Sequence, residues 1–113
     1  MTPRLTSGML ASALIRRVQA EGGFATVIQR GDADAGAILI ECVDRGVRHI
    51  VLERGASPDG RDGWRVAEAD ALADPVAVDA RMAKRRTTDP DLWIIELDIA
   101  DAERFAAETI GTA

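Results

Sequence analysis

The sequence predicts a single α+β domain over residues 1–113, in which helices pack on an antiparallel sheet of four to five strands. Apolar residues recur at the helical period near the N-terminus, and short runs with period-two alternation follow between glycine- and aspartate-rich turns. A length of 113 residues is too short for two independent cores, yet sufficient for one. The predicted order is an N-terminal helix, a β-meander, a second helix, an inner strand and a short C-terminal helix.

The first predicted helix lies near the N-terminus, where Leu10, Leu14 and Val18 share one side. Thr6 or Ser7 is placed to cap its start by accepting a hydrogen bond from a backbone N–H of the first turn. The glycine pair that follows ends the helix, because glycine adopts the left-handed conformation without a clash at Cβ.

Three strands in a meander are predicted next, over Phe24–Arg30, Ala37–Val43 and Val47–Arg54. The segment Gly31–Gly36 predicts a hairpin loop, since its aspartates can bond their own backbone and its glycines can adopt positive φ. Asp44–Gly46 predicts a second tight turn. We therefore expect each strand to pair antiparallel with the next.

A loop, a short strand and a second helix are predicted to follow the meander. Gly55–Gly63 predicts the loop, and Trp64–Ala67 predicts the short fourth strand. Asp74 is placed to cap the helix, and Pro75 suits its first turn, where no backbone N–H is needed. The helix should end near Arg86, before an Asp-Pro step that disfavours helical backbone.

The segment Leu92–Ile95 is apolar on both sides of a strand, which predicts an inner strand covered on both faces. Trp93, Ile95 and Leu97 follow one another at spacing two, so the three should share a core-facing side. We expect Trp93 to be buried against one of the first two helices. Asp101 is placed to cap a last short helix.

Two charged segments supply the candidate ligand-binding residues, namely the predicted hairpin and the turn after the second helix. Arginine guanidinium groups bind carboxylates and phosphates in a two-pronged geometry. The arginines either pair with the neighbouring aspartates and fix the exit of the helix, or they stay free and form an anion pocket where the hairpin approaches the turn. The candidate residues are Arg30, Asp32, Asp34, Arg85, Arg86, Asp89 and Asp91.

Other residues that carry chemistry favour structural interpretations. In Asp32–Gly36 the glycine comes one position too early for a calcium loop. Cys42 shares a strand face with two isoleucines, and a buried cysteine behaves as a small hydrophobic residue. His49 is interpreted as a strand-surface residue, and a Cys42–His49 dyad would need both side chains on one face. The sequence accordingly predicts no catalytic residue, no metal site and no cofactor.

Three segments resemble a small bacterial family described as domain of unknown function 1491. They are Ala13–Arg17, Arg30–Leu39 and Asp89–Glu96, and the glycine–aspartate stretch and the Asp-Pro-Asp-Leu-Trp stretch are the most specific parts. The stretch before Asp-Pro-Asp is usually more basic in that family and ends in an aromatic residue, whereas here it is Lys84–Thr88. The resemblance covers nearly the whole chain and implies a free-standing cytoplasmic bacterial protein, but it implies no activity.

The sequence offers no nucleophile–base pair, no metal-ligand set and no phosphate loop, and it has one histidine, so we expect a non-enzymatic interaction or regulatory module in the cytoplasm. The chain has 14 basic and 19 acidic residues, a net charge of −5 that opposes binding to nucleic acid. No apolar run approaches the ~20 residues needed to cross a bilayer, and the N-terminus lacks the layout of a signal peptide. A small sheet also leaves an edge strand, which a homodimer or an unidentified protein partner would cover.

Two alternatives from other classes stay open. The first is a binder or enzyme for a small anionic ligand at the candidate residues, which requires the hairpin and the later turn to share a concave pocket. The second is a nucleic-acid accessory protein, which requires Arg16, Arg17 and Lys84–Arg86 to lie on one surface.

Overall fold

The computed structural model describes residues 4–56 and 61–111, which form three helices and a five-stranded sheet. The helices are α1 (Ser7–Ala20), α2 (Pro75–Thr88) and α3 (Ala102–Gly111). The strands are β1 (Phe24–Gln29), β2 (Ile38–Asp44), β3 (Val47–Ala56), β4 (Asp62–Glu68) and β5 (Trp93–Asp98). The α+β class and the predicted order of elements are confirmed.

The sheet is mixed, with the strand order β1-β5-β2-β3-β4. Strand β5 runs antiparallel to β1 and parallel to β2, and the other neighbours are antiparallel. The expected pairing of β1 with β2 is therefore wrong, and the meander comprises β2, β3 and β4. The physical reason is the apolar character of β5 on both faces, which stabilises it as an inner strand. The segment expected as a hairpin loop instead crosses the start of β5.

One face of the sheet is covered by α1 and α3. Leu10 and Leu14 of α1 and Phe105 of α3 pack there against Ile40 and Trp93 of the sheet. Only 3% of Trp93 is exposed, which confirms its predicted burial. The predicted shared face of the β5 side chains is also confirmed, because the alternate residues that follow Trp93 belong to the same apolar cluster.

The opposite face of the sheet is covered by α2. Val78 and Met82 of this helix pack against Leu39, Val51 and Ile94 of the three central strands. Because α1 and α2 lie on opposite faces, the basic residues of α1 and those of α2 do not share a surface. The arrangement required by the nucleic-acid alternative is therefore not present.

The helix ends follow the predicted capping residues. The Thr6 hydroxyl accepts a hydrogen bond from the Met9 N–H at 3.3 Å, so Thr6 caps α1. Gly22, just after α1, has a φ of +84°, the left-handed conformation expected of it. Asp74 caps α2 by accepting a hydrogen bond from the Ala77 N–H at 3.1 Å. Local sequence therefore fixes where both helices begin.

The predicted loop Gly55–Gly63 is shorter than expected, because β3 extends to Ala56 and β4 starts at Asp62. Residues 57–60 of that loop lie outside the described residues. Arg54, a residue that is 7% exposed, joins the two strands, because its guanidinium forms an ion pair with Asp62. This guanidinium also donates to the Leu5 carbonyl at 2.7 Å and so links the sheet to the segment before α1.

Candidate functional site

The connection between β1 and β2, which we call the glycine–aspartate loop (residues 30–37), contacts the turn before β5, the Asp-Pro-Asp turn (residues 89–91). The backbone N–H of Asp32 donates to the Asp91 carbonyl at 3.0 Å. The indole N–H of Trp93 donates to the Asp32 carbonyl at 2.7 Å. The two segments singled out by the sequence thus meet in space as a packed backbone junction.

Two glycines allow this close approach. A Cβ atom at Gly31 or at Gly36 would overlap the carbonyl oxygen of Asp91. Neither glycine has a positive φ. The two residues are therefore required by the space between two backbones, and not by the conformational freedom that the hairpin prediction assumed.

Two candidate carboxylates stabilise the turns that contain them. The Asp32 carboxylate accepts hydrogen bonds from the N–H groups of Asp34 at 3.2 Å and of Ala35 at 2.9 Å. The Asp89 carboxylate accepts one from the Asp91 N–H at 3.1 Å. The expected bonds between loop aspartates and their own backbone are confirmed, and they give these carboxylates a structural role.

Arg85 does not pair with Asp89 or Asp91, so the interpretation in which it fixes the exit of α2 through these aspartates is wrong. Its guanidinium makes two hydrogen bonds of 3.2 Å to the carboxylate of Glu53 on β3. The reason is tertiary, because α2 crosses the sheet and its last turn lies above β3. Burial by itself would raise the pKa of Glu53, but the hydrogen bond and the charge of Arg85, with that of Arg65, hold this pKa below its ordinary value.

Arg86 also turns away from the two aspartates. Its Nε donates to the side-chain oxygen of Gln29 at the end of β1, at 3.3 Å. The amide nitrogen of Gln29 in turn donates to the carbonyls of Asp89 and Leu92 at 3.3 and 2.8 Å. Arg86 therefore reaches the Asp-Pro-Asp turn through Gln29, and its role there is to brace the backbone.

A groove of about 740 Å³ lies between α1 and the glycine–aspartate loop, and we call it the α1 groove. Eight of its lining residues come from α1 and the segment before it, three from the loop and one from α3. The Asp-Pro-Asp turn does not line it. The lining residues are Leu5, Thr6, Gly8, Met9, Ser12, Ala13, Arg16, Arg17, Arg30, Ala33, Asp34 and Thr109.

The loop holds the start of α1 and so forms one wall of the groove. The Ser7 N–H donates to the Asp34 carbonyl at 3.2 Å, and the Gly8 N–H donates to the Ala33 carbonyl at 2.8 Å. A Cβ at Gly8 would lie 3.3 Å from that Ala33 carbonyl oxygen, so the glycine permits the contact. Because the loop carbonyls occupy these N–H groups, a ligand in the groove would meet side chains and not the helix terminus.

The charged lining of the groove consists of three arginines and one aspartate. Arg17 forms an ion pair with Glu108 at 3.0 Å. Within residues 4–56 and 61–111, neither Arg16 nor Arg30 forms an ion pair, and both are exposed. The Arg30 guanidinium lies 5.5 Å from the centroid of the Trp93 ring, a cation–π distance. The groove is therefore basic, in a chain whose net charge is −5.

The seven candidate residues thus separate into three places. Arg30 and Asp34 line the α1 groove, whereas the aspartates of the backbone junction and the arginines of α2 do not. Sequence reasoning missed the apolar part of the groove, where Met9 is 58% exposed. The sequence offers one related feature, Gly8, because a glycine permits another backbone to approach closely, but it does not identify the segment that approaches.

Cys42 and His49 form no dyad in the structure. Cys42 is buried beneath α1 and α3, and His49 is exposed. Burial and the nearby Glu103 carboxylate raise the pKa of the Cys42 thiol to about 12, so it is protonated at neutral pH and is a poor nucleophile. In the described part of the chain, no three His, Cys, Asp or Glu side chains converge as metal ligands. None of the described helices is long and apolar enough to span a membrane.

Comparison with known proteins gives one family match and several similar structures. The family described as "Protein of unknown function (DUF1491)" matches residues 5–107. A crystal structure of a DUF1491 family protein from Caulobacter crescentus is 33% identical, with a TM-score of 0.72 and coverage of 89% of this chain and 94% of that chain. An NMR structure of a DUF1491 family protein from the same organism is 33% identical, with a TM-score of 0.72 and coverage of 92% and 94%.

A solution structure of protein Atu0922 from A. tumefaciens is also similar. It is 31% identical, with a TM-score of 0.64 and coverage of 88% of this chain and 89% of that chain. No curated protein matches the chain.

Proposed function

We propose that this chain, which belongs to the DUF1491 family, is a non-enzymatic interaction module that binds an acidic segment of a partner protein in the α1 groove. One observation carries the proposal. The guanidinium of Arg30 is held over the Trp93 ring, and no described carboxylate pairs with it. A guanidinium that is oriented by an aromatic face keeps its N–H donors available for a carboxylate of a ligand.

The charge around the groove supports an anionic ligand. Arg16 lies along α1, and its side chain adds a second cation that no described carboxylate neutralises. The remainder of the chain is acidic, so these two arginines are the part of this surface where an anion is attracted instead of repelled.

The length and the apolar content of the groove support a peptide over a single small anion. The groove follows α1 from Thr6 to Arg17, a distance of about 17 Å at ~1.5 Å per residue. About five residues of an extended peptide would fill that length at ~3.3 Å per residue. The exposed Met9 offers an apolar contact along the same line. A free phosphate would reach only one end of it.

Binding without catalysis is supported by the state of the reactive groups. The thiol of Cys42 is buried and protonated, and the carboxylates of Asp32 and Asp89 are held by backbone N–H groups. The proposal locates the protein in the bacterial cytoplasm, where a lone reduced thiol is ordinary. Fractionation of the native host tests that location.

The direct test is an NMR titration of the ¹⁵N-labelled chain with a synthetic peptide of alternating Glu and Leu. We expect the amide shifts of residues 5–17 and 30–34 to change, and these changes to diminish with added salt. A peptide of the same length with Lys in place of Glu is the matched control and should leave those amides unchanged. If the acidic peptide leaves these amides unchanged as well, the proposed function is wrong.

Three variants locate the binding site. Arg16→Gln and Arg30→Gln should each weaken binding about fivefold, the effect of losing ~1 kcal/mol from an exposed ion pair. Lys84→Gln is the control, because it removes one positive charge from the exposed surface of α2 on the opposite face of the sheet. Equal weakening by Lys84→Gln would contradict the assignment to the α1 groove. If inorganic phosphate displaces the peptide completely, the groove is a site for a small anion, and the proposal of a peptide-binding module is wrong.

A further inference from the structure

Asp34 is the one acidic residue that lines the α1 groove in the described part of the chain. Both polar groups of its backbone are engaged, because its N–H donates to the Asp32 carboxylate at 3.2 Å and its carbonyl accepts from the Ser7 N–H at 3.2 Å. Its own carboxylate is exposed and forms no hydrogen bond or ion pair with any described residue. The groove therefore presents a carboxylate on a fixed backbone, with its acceptor atoms available to a ligand.

This carboxylate and the guanidinium of Arg16 belong to different levels along the groove. The bond to Ser7 holds the Asp34 backbone at the start of α1. Arg16 follows Ser7 by nine residues in the same helix, a distance of about 13 Å at ~1.5 Å per residue. The sign of the charge thus changes along the groove, from acidic at the start of α1 to basic at Arg16.

We propose that the partner segment carries a basic side chain at the end that meets Asp34, in addition to the acidic residues that bind the arginines. This inference rests on the proposed function and adds the residue that selects among acidic segments. An acidic side chain opposite Asp34 would be repelled, whereas a lysine or arginine there forms an ion pair. The net charge of −5 favours the same choice, because a purely acidic ligand is repelled by the remainder of the chain.

The geometry of an extended peptide sets the spacing between the basic residue and the acidic ones. Alternate residues of an extended chain share one face, and four steps of ~3.3 Å cover about 13 Å. A basic residue at the first position of a five-residue segment therefore reaches Asp34 when the fifth residue reaches Arg16. The third position shares their face, so acidic residues at the third and fifth positions supply two carboxylates for Arg16 and Arg30. The peptide Lys-Leu-Glu-Leu-Glu meets these requirements.

NMR titration with two acetylated and amidated peptides tests the proposal, because blocked ends leave the side chains as the only charges. The unmodified chain should bind Lys-Leu-Glu-Leu-Glu more tightly than Glu-Leu-Glu-Leu-Glu. Asp34→Asn should weaken the first complex about fivefold, the effect of losing one exposed ion pair, and should strengthen the second, since it removes a like charge. Glu103→Gln is the matched control, because Glu103 is exposed on α3 and does not line the groove, and it should change neither affinity. Circular dichroism establishes that both variants are folded.

A rearranged peptide and a cross-linker test where the basic residue binds. Glu-Leu-Lys-Leu-Glu has the composition and net charge of the first peptide, but its lysine cannot reach Asp34 while both of its glutamates reach the arginines, so it should bind more weakly. A carbodiimide joins an amine to a carboxylate that it contacts. It should link the lysine of bound Lys-Leu-Glu-Leu-Glu to Asp34, and mass spectrometry should find no such link in Asp34→Asn.

The outcomes separate this inference from the proposed function. If the unmodified chain binds Glu-Leu-Glu-Leu-Glu as tightly as Lys-Leu-Glu-Leu-Glu, or if Asp34→Asn changes both affinities in the same direction, the inference is overturned and the acidic-peptide module stands. A cross-link to another carboxylate in place of Asp34 would overturn it also. If neither peptide shifts the amides of residues 5–17 and 30–34, the proposed function is wrong and the inference is wrong with it.

Discussion

Replacing Trp93 with alanine removes the side chain that joins the core to the candidate site. The ring is 3% exposed and packs with residues of α1 and α3 in the larger apolar cluster. Its N–H donates to the Asp32 carbonyl at 2.7 Å, and its face lies under the Arg30 guanidinium. Trp93→Ala therefore leaves a cavity in the core and removes the hydrogen bond to the Asp32 carbonyl. It also removes the ring that orients the Arg30 guanidinium in the groove.

The magnitude follows from these contacts. Truncating a buried aromatic residue to alanine typically costs ~3–5 kcal/mol, out of the ~5–15 kcal/mol that stabilises a domain. Trp93→Phe keeps most of the packing but loses the hydrogen bond to Asp32, so we expect a smaller loss of about 2 kcal/mol. Asp91→Asn should cost no more than about 1 kcal/mol, because the exposed carboxylate can be changed while the backbone carbonyl of Asp91 keeps its bond.

Urea denaturation of the variants measures these free energies of unfolding. The chain has two tryptophans, so Trp64 remains as the fluorescent reporter when Trp93 is replaced. The indole N–H of Trp64 donates to the Ala106 carbonyl at 2.9 Å, which links β4 to α3 and makes its emission sensitive to unfolding. A Trp93→Ala variant as stable as the parent would refute the reasoning, since it would make the start of β5 a surface strip.

Three further predictions concern stability. Gly36→Ala should lower the free energy of unfolding by about 1–3 kcal/mol or more, because the added Cβ overlaps the Asp-Pro-Asp turn. Gly63→Ala is the control and should be tolerated, since its Cβ would meet nothing within 4 Å. Thermal melts of the two variants measure the difference. Burial, together with the carboxylates of Glu41 on β2 and of Asp98 on β5 itself, raises the pKa of Glu96. The fold therefore loses stability as pH rises from the ordinary value of 4.5 to the raised one. Glu96→Gln should therefore stabilise the protein at pH 7 by up to about 1 kcal/mol and give no gain below its ordinary pKa of 4.5, as urea midpoints at both pH values would report. Arg54→Met should cost about 3 kcal/mol at neutral pH, because Asp62 loses its buried partner. Burial alone would raise the pKa of Asp62, but the arginines beside it lower that pKa. The ion pair therefore stabilises the fold above pH 3.8, the ordinary pKa, and this stabilisation is lost as pH falls through the lower pKa of the folded state. If Arg54→Met destabilised the protein equally in acid, this reasoning would be contradicted.

The helices and the inner strand were determined by local sequence. Capping by Thr6 and Asp74, and the position of Pro75 in the first turn of α2, follow from the bonding needs of the helix ends and do not depend on neighbours. The burial of Trp93 followed from the apolar run on both sides of its strand. The class of the fold was predictable for the same reason, since each element carries its own periodicity.

The candidate site was predictable only in part. Sequence proximity favoured pairing of Arg85 with Asp89, but the guanidinium of Arg85 lies above β3 and binds Glu53. Arg30 and Asp34 were singled out for their charge, and they do line a groove. The other wall of that groove is α1, whose start is bonded to the loop carbonyls of Ala33 and Asp34, and these residues are too far apart in sequence for a local pattern to pair them.

Sequence by itself determined the order of the elements, the capped starts of α1 and α2 and the burial of Trp93, because these depend on period and on capping over a few neighbouring positions. Tertiary structure decided the strand order, in which β5 separates β1 from β2. The two glycines of the connecting loop suit a hairpin and suit a crossing equally well, since both require residues without a Cβ. The crossing forms because the Asp91 carbonyl lies against both Gly31 and Gly36. Asp91 is far along the chain from these glycines, so the local sequence does not reveal this contact.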